Sequence, residues 1–592
     1  MSRGFTAILV AGAALAAAPV AARPPQVAQS VPVTADQQLK ALYDAYALWQ
    51  GKEFGYFEDD RGDTKPLGYL AHVDPATQLR EAAQLQQWLD QLNAIPAAQL
   101  SPGERVNAAV FRTVLENALS DAHFRTWEMP FNSDSSFWTY LDSDQPFESA
   151  AEYQRYIGRM RDIPRYFDEQ IANMRAGLAR GFSVPRATLA GRDASVATFA
   201  DQTPEKSSFY KPFASFPSTI PAAEQQALRA SGRAAIEQAV LPAYRKLLAF
   251  IRDEYMPKAR NTIAARDLPD GDAFYRAQIR EYTTTNKSPE EIHQLGLSEV
   301  ARIDAEMRST MAETGFKGSY ENFLKFLKTD PQFYAKTPDE LMGVSAYVLK
   351  RVDGKLGSII GTLPRRRFGL IPVPDAIAPF YTAGRGAVGP GFDCMMNTYN
   401  LPTRPLYNIP VLTLHECAPG HSLQFEIAAE QKSLPAFRRT LYFSGMGEGW
   451  GLYSEWLGNE LGIYRTPYER FGQLSYEMWR AARLVIDTGI HRYGWSRQQA
   501  IDYLASHTAL SQHEVETEVD RYISWPGQAL AYKLGELTIR RLRTEAEATL
   551  GPRFDERRFH DAVLAMGSVP LTVFEDQMHA FIRAEAARPA AR

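Results

Sequence analysis

The chain has 592 residues, 45% of them hydrophobic and 23% charged, which is enough ordinary globular sequence for a large core and excludes both a disulfide-stapled miniprotein and a disordered chain. Lysine and arginine number 65 against 69 acidic residues, a formal charge of −4. That balance provides no basic field for nucleic acid.

The first 22 residues, MSRGFTAILVAGAALAAAPVAA, place one positive charge before an Ala-rich apolar run that ends in small residues. This pattern predicts a secretory signal peptide removed near Arg23, and hence a secreted or periplasmic protein. No later stretch of about 18 apolar residues follows, so no stable membrane insertion is expected after cleavage. Only Cys394 and Cys417 are present, so at most one intramolecular disulfide can form.

Residues 23–592 read as one mature unit, divisible into two helical halves, about 34–270 and 271–585, flanking a cleft. The Pro-Asp-Gly turn in Asp267 to Tyr275 marks the soft boundary. Helix-start signals recur in chain order: Ser149 with Glu152, Ser288 with Glu291, Thr337 with Glu340, and Ser496 with Gln499. After Ser288, residues Ile292, Leu295, Val300, Ile303 and Met307 share one helical face, predicting a surface helix packed on a core. Strand signals are sparse, the clearest being Gly389 to Tyr399. The fold class expected is mainly α with one small sheet.

The chemistry concentrates in LTLHECAPGHSLQ. His415, Glu416 and His421 are similar to the zinc-protease helix in which two imidazoles bind the metal and the intervening glutamate is the base. The spacing differs. Residues four apart lie about 40° from each other around a helix, whereas residues six apart lie about 240° away. A straight helix would therefore separate the histidines. Pro419 lacks a donor and collides with the preceding turn, while Gly420 tolerates unusual dihedrals, so a break or bulge is expected between them.

A third ligand is sought downstream in GMGEGWGLYSEWLG. Glu448 and Glu455 are seven apart, about two turns, and can share a face. Glu448 is assigned as ligand and Glu455 as the carboxylate orienting a histidine. His491 and Tyr532 are candidate donors to a developing oxyanion. Arg521 and Tyr522 are candidates for holding a substrate carboxylate or carbonyl, and Gly389 to Asn397 for an edge strand pairing with an extended peptide. His507 and His513 read as surface or packing residues. Cys417 lies about 200° round the helix from His415 and reads as core. Gly384 to Gly391, GRGAVGPG, reads as an active-site loop, since neither a dinucleotide fingerprint nor a phosphate loop is present.

Four ordered stretches, HECAPGH, GEGWGLYSEWLG, DTGIHRYGWSRQQAI and RYISWPGQALAYKLG, resemble the signatures of the bacterial family DUF885, a domain of unknown function. That family in turn is similar to gluzincin zinc peptidases such as thimet oligopeptidase and carboxypeptidase Taq. Upstream, NMRAGLARGFSVPRATL and TTTNKSPEEIHQLGLSEV also look familial, so the resemblance covers most of the mature chain. It implies an elongated helical fold with a deep central channel and Zn(2+) at its floor, but no particular substrate. The expected function is a secreted zinc peptidase cutting short extended peptides, with Glu416 activating a water on the metal. Two alternatives stay open: a non-catalytic peptide-binding protein on the same fold, and a zinc amidase acting on a non-peptide amide.

Overall fold

The computed structural model describes residues 33–59, 64–143, 145–375, 378, 382–386, 393–439 and 441–589. The signal-peptide reading of residues 1–22 and the first part of the 389–399 strand lie outside them.

The architecture is mainly helical. All four helix-start signals are N-caps: Ser149, Ser288, Thr337 and Ser496 each accept the backbone N–H three residues on. At Ser149, Ser288 and Ser496 the side chain at that third position returns the bond to complete a capping box, so two orphan donors are satisfied at each end. In the helix Pro289–Glu313, Ile292, Val300, Ile303 and Met307 are buried, as the periodicity requires. This helix lies against the helix Pro467–Thr488 so closely that a Cβ on Gly296 would fall 2.7 Å from the Leu484 side chain.

Packing does not divide at residue 270. One apolar cluster gathers Leu70 and residues between Phe131 and Ala259 around the helix Ala150–Arg180, whose Tyr153, Ile157, Met160, Phe167 and Ile171 follow helical spacing. A second cluster joins the N-terminal helices Ala35–Phe54 and Pro102–Phe124 to Ser444–Glu460, Ala531–Leu550 and Leu571–Ala587 near the other end of the chain. The N-terminal helices thus share a core with the C-terminal half. No described helix is long and apolar enough to cross a membrane.

Two small sheets are present among the described residues. Strands β1 (Tyr56–Glu58) and β2 (Thr64–Pro66) form an antiparallel pair. Strands β3 (Leu370–Pro372), β4 (Gly384–Arg385) and β5 (Cys394–Met396) form the sheet that matters for the site, in the order β3-β5-β4. β5 pairs parallel with β3 and antiparallel with β4. Cys394 of β5 is disulfide-bonded to Cys417, with Cα atoms 5.4 Å apart. Closing a loop across 23 positions is worth about 3 kcal/mol on chain-entropy grounds, and it fastens the sheet to the end of the histidine helix.

Candidate metal centre

The helix Ile409–Glu416 is apolar on every side and buried from Ile409 to His415. It stops at Cys417, passes through a cis Ala418-Pro419 bond, and resumes as His421–Glu430. Two backbone bonds carry the chain across the break: Gly420 N–H donates to Leu414 O at 3.0 Å, and Leu423 N–H to Cys417 O at 3.1 Å. Both span six residues where a regular helix spans four. Two residues are therefore looped out, and positions six apart occupy the relationship that positions four apart have on an unbroken helix. Only glycine fits at 420, because a Cβ there would lie 1.9 Å from His415 O and 2.4 Å from Leu414 O. The Trp450 indole N–H caps the break by donating to Pro419 O at 2.8 Å.

The remaining donor comes from the helix Ser444–Glu460. Glu448 Oε2 lies 3.6 Å from His415 Nε2 and 3.3 Å from His421 Nε2, and one donor atom from each of the three residues lies within 4.8 Å of the others. Two turns further along the same face, the fully buried Glu455 accepts from His415 Nδ1 at 2.7 Å. Gly451 makes room for the ring, since a Cβ there would come within 2.7 Å of His415 Cε1.

Burial presses the His415 pKa down, but the facing Glu448 and Glu455 carboxylates outweigh it and raise it to about 9. Burial pushes the Glu448 carboxyl up, and the two imidazoles overcome that and hold it well below the usual range. His421 has no such orienting partner: its Nδ1 is buried and unbonded among the described residues. Its ring is instead set by near-parallel packing on Phe425, with centroids 5.8 Å apart.

The donor set fits zinc. Two imidazole nitrogens and one carboxylate are three protein ligands with a position to spare. Glu455 fixes the tautomer that aims the His415 Nε2 lone pair toward the other two. In a second grouping, His72, Asp74 and Glu169, the histidine is exposed and the two carboxylates are half-buried, and Arg165 lies 3.1 Å from His72 Nδ1 and 2.8 Å from Glu169, so a guanidinium already supplies the positive charge there.

Glu416 is half-buried beside the triad, and its Oε2 accepts the Gly386 N–H at 2.8 Å. Strand β4 thus lies along the glutamate. The edge-strand reading of Gly389 to Asn397 needs correcting, because β5 is the central strand and β4 is an edge. Asn397 is also reassigned. It is buried, donates to Ala378 O and Thr382 O, and accepts from Tyr399 N–H, so its amide shapes the loop before β4.

His491 is not brought to the triad's chemistry. It is fully buried, its Nδ1 accepts the Ala265 N–H at 2.9 Å, and Nε2 bonds Tyr522 O at 2.9 Å. Both nitrogens are consumed by backbone, and burial lowers its pKa to about 3, so it stays neutral and pins distant segments together. Tyr522 is also buried, its hydroxyl accepting from Trp479 Nε1 and Arg483 Nε. Tyr532 accepts from Arg521 at 3.2 Å. His507 packs on Tyr503, and His513 is exposed.

Sequence reasoning missed Tyr442, whose ring abuts the backbone just before Glu448: a Cβ at Gly447 would come 2.5 Å from its hydroxyl. It also missed Arg480, whose Nη2 lies 3.5 Å from Glu455. Arg480 and Arg483 stand in the apolar run LSYEMWRAARLVI, and charges inside an otherwise apolar helical stretch are the signal that could have found them.

An apolar helix broken between two histidines, closed by a glutamate from a neighbouring helix, defines the site as a His-His-Glu centre on a helical scaffold. The chain belongs to the bacterial family of proteins of unknown function DUF885, whose profile matches residues 52–578. No curated protein matches it. Among solved structures, "the putative lipoprotein from Colwellia psychrerythraea" is similar at a TM-score of 0.85 and 27% identity, covering 93% of this chain and all of that one. A "putative lipoprotein of unknown function from Shewanella oneidensis" shares the fold at a TM-score of 0.68 and 16% identity, over 92% of this chain and all of that one.

Proposed function

We propose that this protein is an extracytoplasmic zinc-dependent peptidase acting on short extended peptides. The observation that carries the reading is the helix break that returns His421 to His415 and Glu448, with Glu416 alongside. The relatives described as lipoproteins support the extracytoplasmic location.

Zinc held by His415, His421 and Glu448 would supply Lewis acidity to the scissile carbonyl and to the attacking water. The chain's own residues supply the rest. The Gly386 N–H occupies Glu416 Oε2, leaving the other oxygen for the water. As the water oxygen bonds to the carbonyl carbon, Glu416 takes its proton and delivers it to the amide nitrogen while the C–N bond breaks. Tyr532 already accepts from Arg521, so its own proton is free to donate to the carbonyl oxygen as charge develops there. Glu455 keeps His415 in one tautomer. Strand β4 offers an edge on which an extended backbone can align whatever its side chains.

The test is incubation of the zinc-loaded protein with a mixed peptide library, products being read by mass spectrometry, with and without a chelator. Cleavage that the chelator abolishes and zinc restores supports the reading. Peptides retained by the protein but left whole would make it a binding protein.

A further inference from the structure

Beside the triad the described residues bury a surplus of positive charge. Arg480 and Arg483, one turn apart on the helix Pro467–Thr488, converge with Arg521 from the helix Gln512–Ser524, with side chains 5%, 2% and 16% exposed. The Tyr532 ring stands between the first two, 5.9 Å from the Arg480 guanidinium and 4.3 Å from that of Arg483.

Two carboxylates answer these three cations. Glu518 lies 2.7 Å from Arg483 and 3.7 Å from Arg521. Glu455 lies 3.5 Å from Arg480 but is shared with His415. Asp134 is exposed and acts on Arg521 only through its longer-range field. One positive charge is left over. Moreover, Arg483 Nη1 and the Nε atoms of Arg480 and Arg521 are buried without a hydrogen-bond partner among the described residues. A buried guanidinium keeps neither an uncompensated charge nor idle donors without cost, and a single bound monoanion would remove both.

The location says which monoanion. Glu455 touches both Arg480 and the zinc-ligand candidate His415, so the cluster lies immediately beyond the triad. A planar carboxylate accepts the parallel N–H pairs of guanidinium. Resting on the peptidase reading, we infer that Arg480, Arg483 and Arg521 form the pocket for the C-terminal carboxylate of the peptide, so that the substrate class is free-acid peptides cut close to their C-terminus.

The test uses the full-length zinc-loaded protein carrying Glu416→Gln, to suppress turnover, and a pool of hexapeptides made both as free acids and as C-terminal amides. Retention is measured by equilibrium dialysis and mass spectrometry. Free acids should be retained about 10- to 100-fold better than their amides, the effect of hydrogen bonds to a charged group. Arg521→Lys and Arg483→Gln should each bring that ratio toward one without changing zinc content. The acid-to-amide ratio in the protein with intact arginines decides the matter even if Arg483→Gln fails to fold. Equal retention of acids and amides, or no retention of either, overturns the inference. So does added chloride raising both forms alike, which would assign the cluster to an inorganic anion. Cleavage by the protein with Glu416 intact, without any preference for acids, would defeat the carboxylate pocket and leave the peptidase reading standing. Retention of acids without cleavage by that protein would do the reverse.

Discussion

Replacing Gly420 by alanine strikes the feature that brings the two histidines together. The new methyl would sit 1.9 Å from His415 O and 2.4 Å from Leu414 O, whereas real Cβ contacts essentially never fall below 3.0 Å. Both obstacles are backbone atoms, so no side chain can swing aside. The segment must move by about 1.1 Å, the difference between those distances, and the moving residue adjoins His421. Zinc donor distances are tolerant to only about 0.2 Å, so the shift is several times what the site can absorb and His421 is lost as a ligand. Losing an outer partner of a ligand costs roughly 10- to 100-fold in affinity, and losing the ligand itself should cost more than about 100-fold. The assay is zinc titration against a competing chelator, with circular dichroism to confirm the helical fold. Gly343→Ala, at a position where a Cβ meets nothing within 4 Å, serves as the control. A folded Gly420→Ala protein that binds zinc as tightly as the parent would refute the reasoning.

Other predictions follow from buried groups. Asp487 is held by the Tyr275 hydroxyl and the Gly527 N–H, yet burial raises its pKa from 3.8 to about 7. The folded state therefore keeps a proton that the unfolded chain releases, and its contribution to stability is intact below about pH 4 and lost as pH rises through about 7. Asp487→Asn should cancel that slope, so its stability relative to the parent improves between pH 4 and 8 by up to about 4 kcal/mol; parallel denaturation curves across that range would contradict it. His491→Gln breaks bonds to backbone at Ala265 and Tyr522 and should cost about 2–4 kcal/mol in urea unfolding. Its turnover per folded, zinc-loaded molecule should stay within about two-fold of the parent, whereas a loss on the scale of general acid–base catalysis, about 10² or more, would return His491 to the catalytic list.

Local signals carried much of the architecture. Capping pairs at Ser149, Ser288, Thr337 and Ser496 mark real helix starts because a cap is satisfied by residues three positions away. Glu448 and Glu455 face His415 together because their spacing is a property of one helix. The break between His415 and His421 is foreseeable from Pro419 and Gly420, but its register is not, since that depends on which carbonyls the resumed helix finds. The bonds His491 makes are not legible locally, because Ala265, whose N–H its Nδ1 accepts, lies 226 residues away. The N-terminal helices likewise present apolar faces whose packing partner comes from the far end of the chain, out of reach of any local pattern. Cys417 is buried as its helical angle requires, yet its disulfide needs β5 alongside, which no periodicity near Cys394 announces.

The most direct test of the central claim is the single-turnover hydrolysis rate of Glu416→Gln beside the parent protein at equal zinc occupancy, on whichever library peptide the parent cleaves. The glutamine keeps the size of the side chain beside the Gly386 N–H and removes the proton acceptor. Zinc content should be unchanged and the rate should fall by roughly 10²–10⁴-fold. An undiminished rate from zinc-replete Glu416→Gln, free of contaminating protease, would contradict the account.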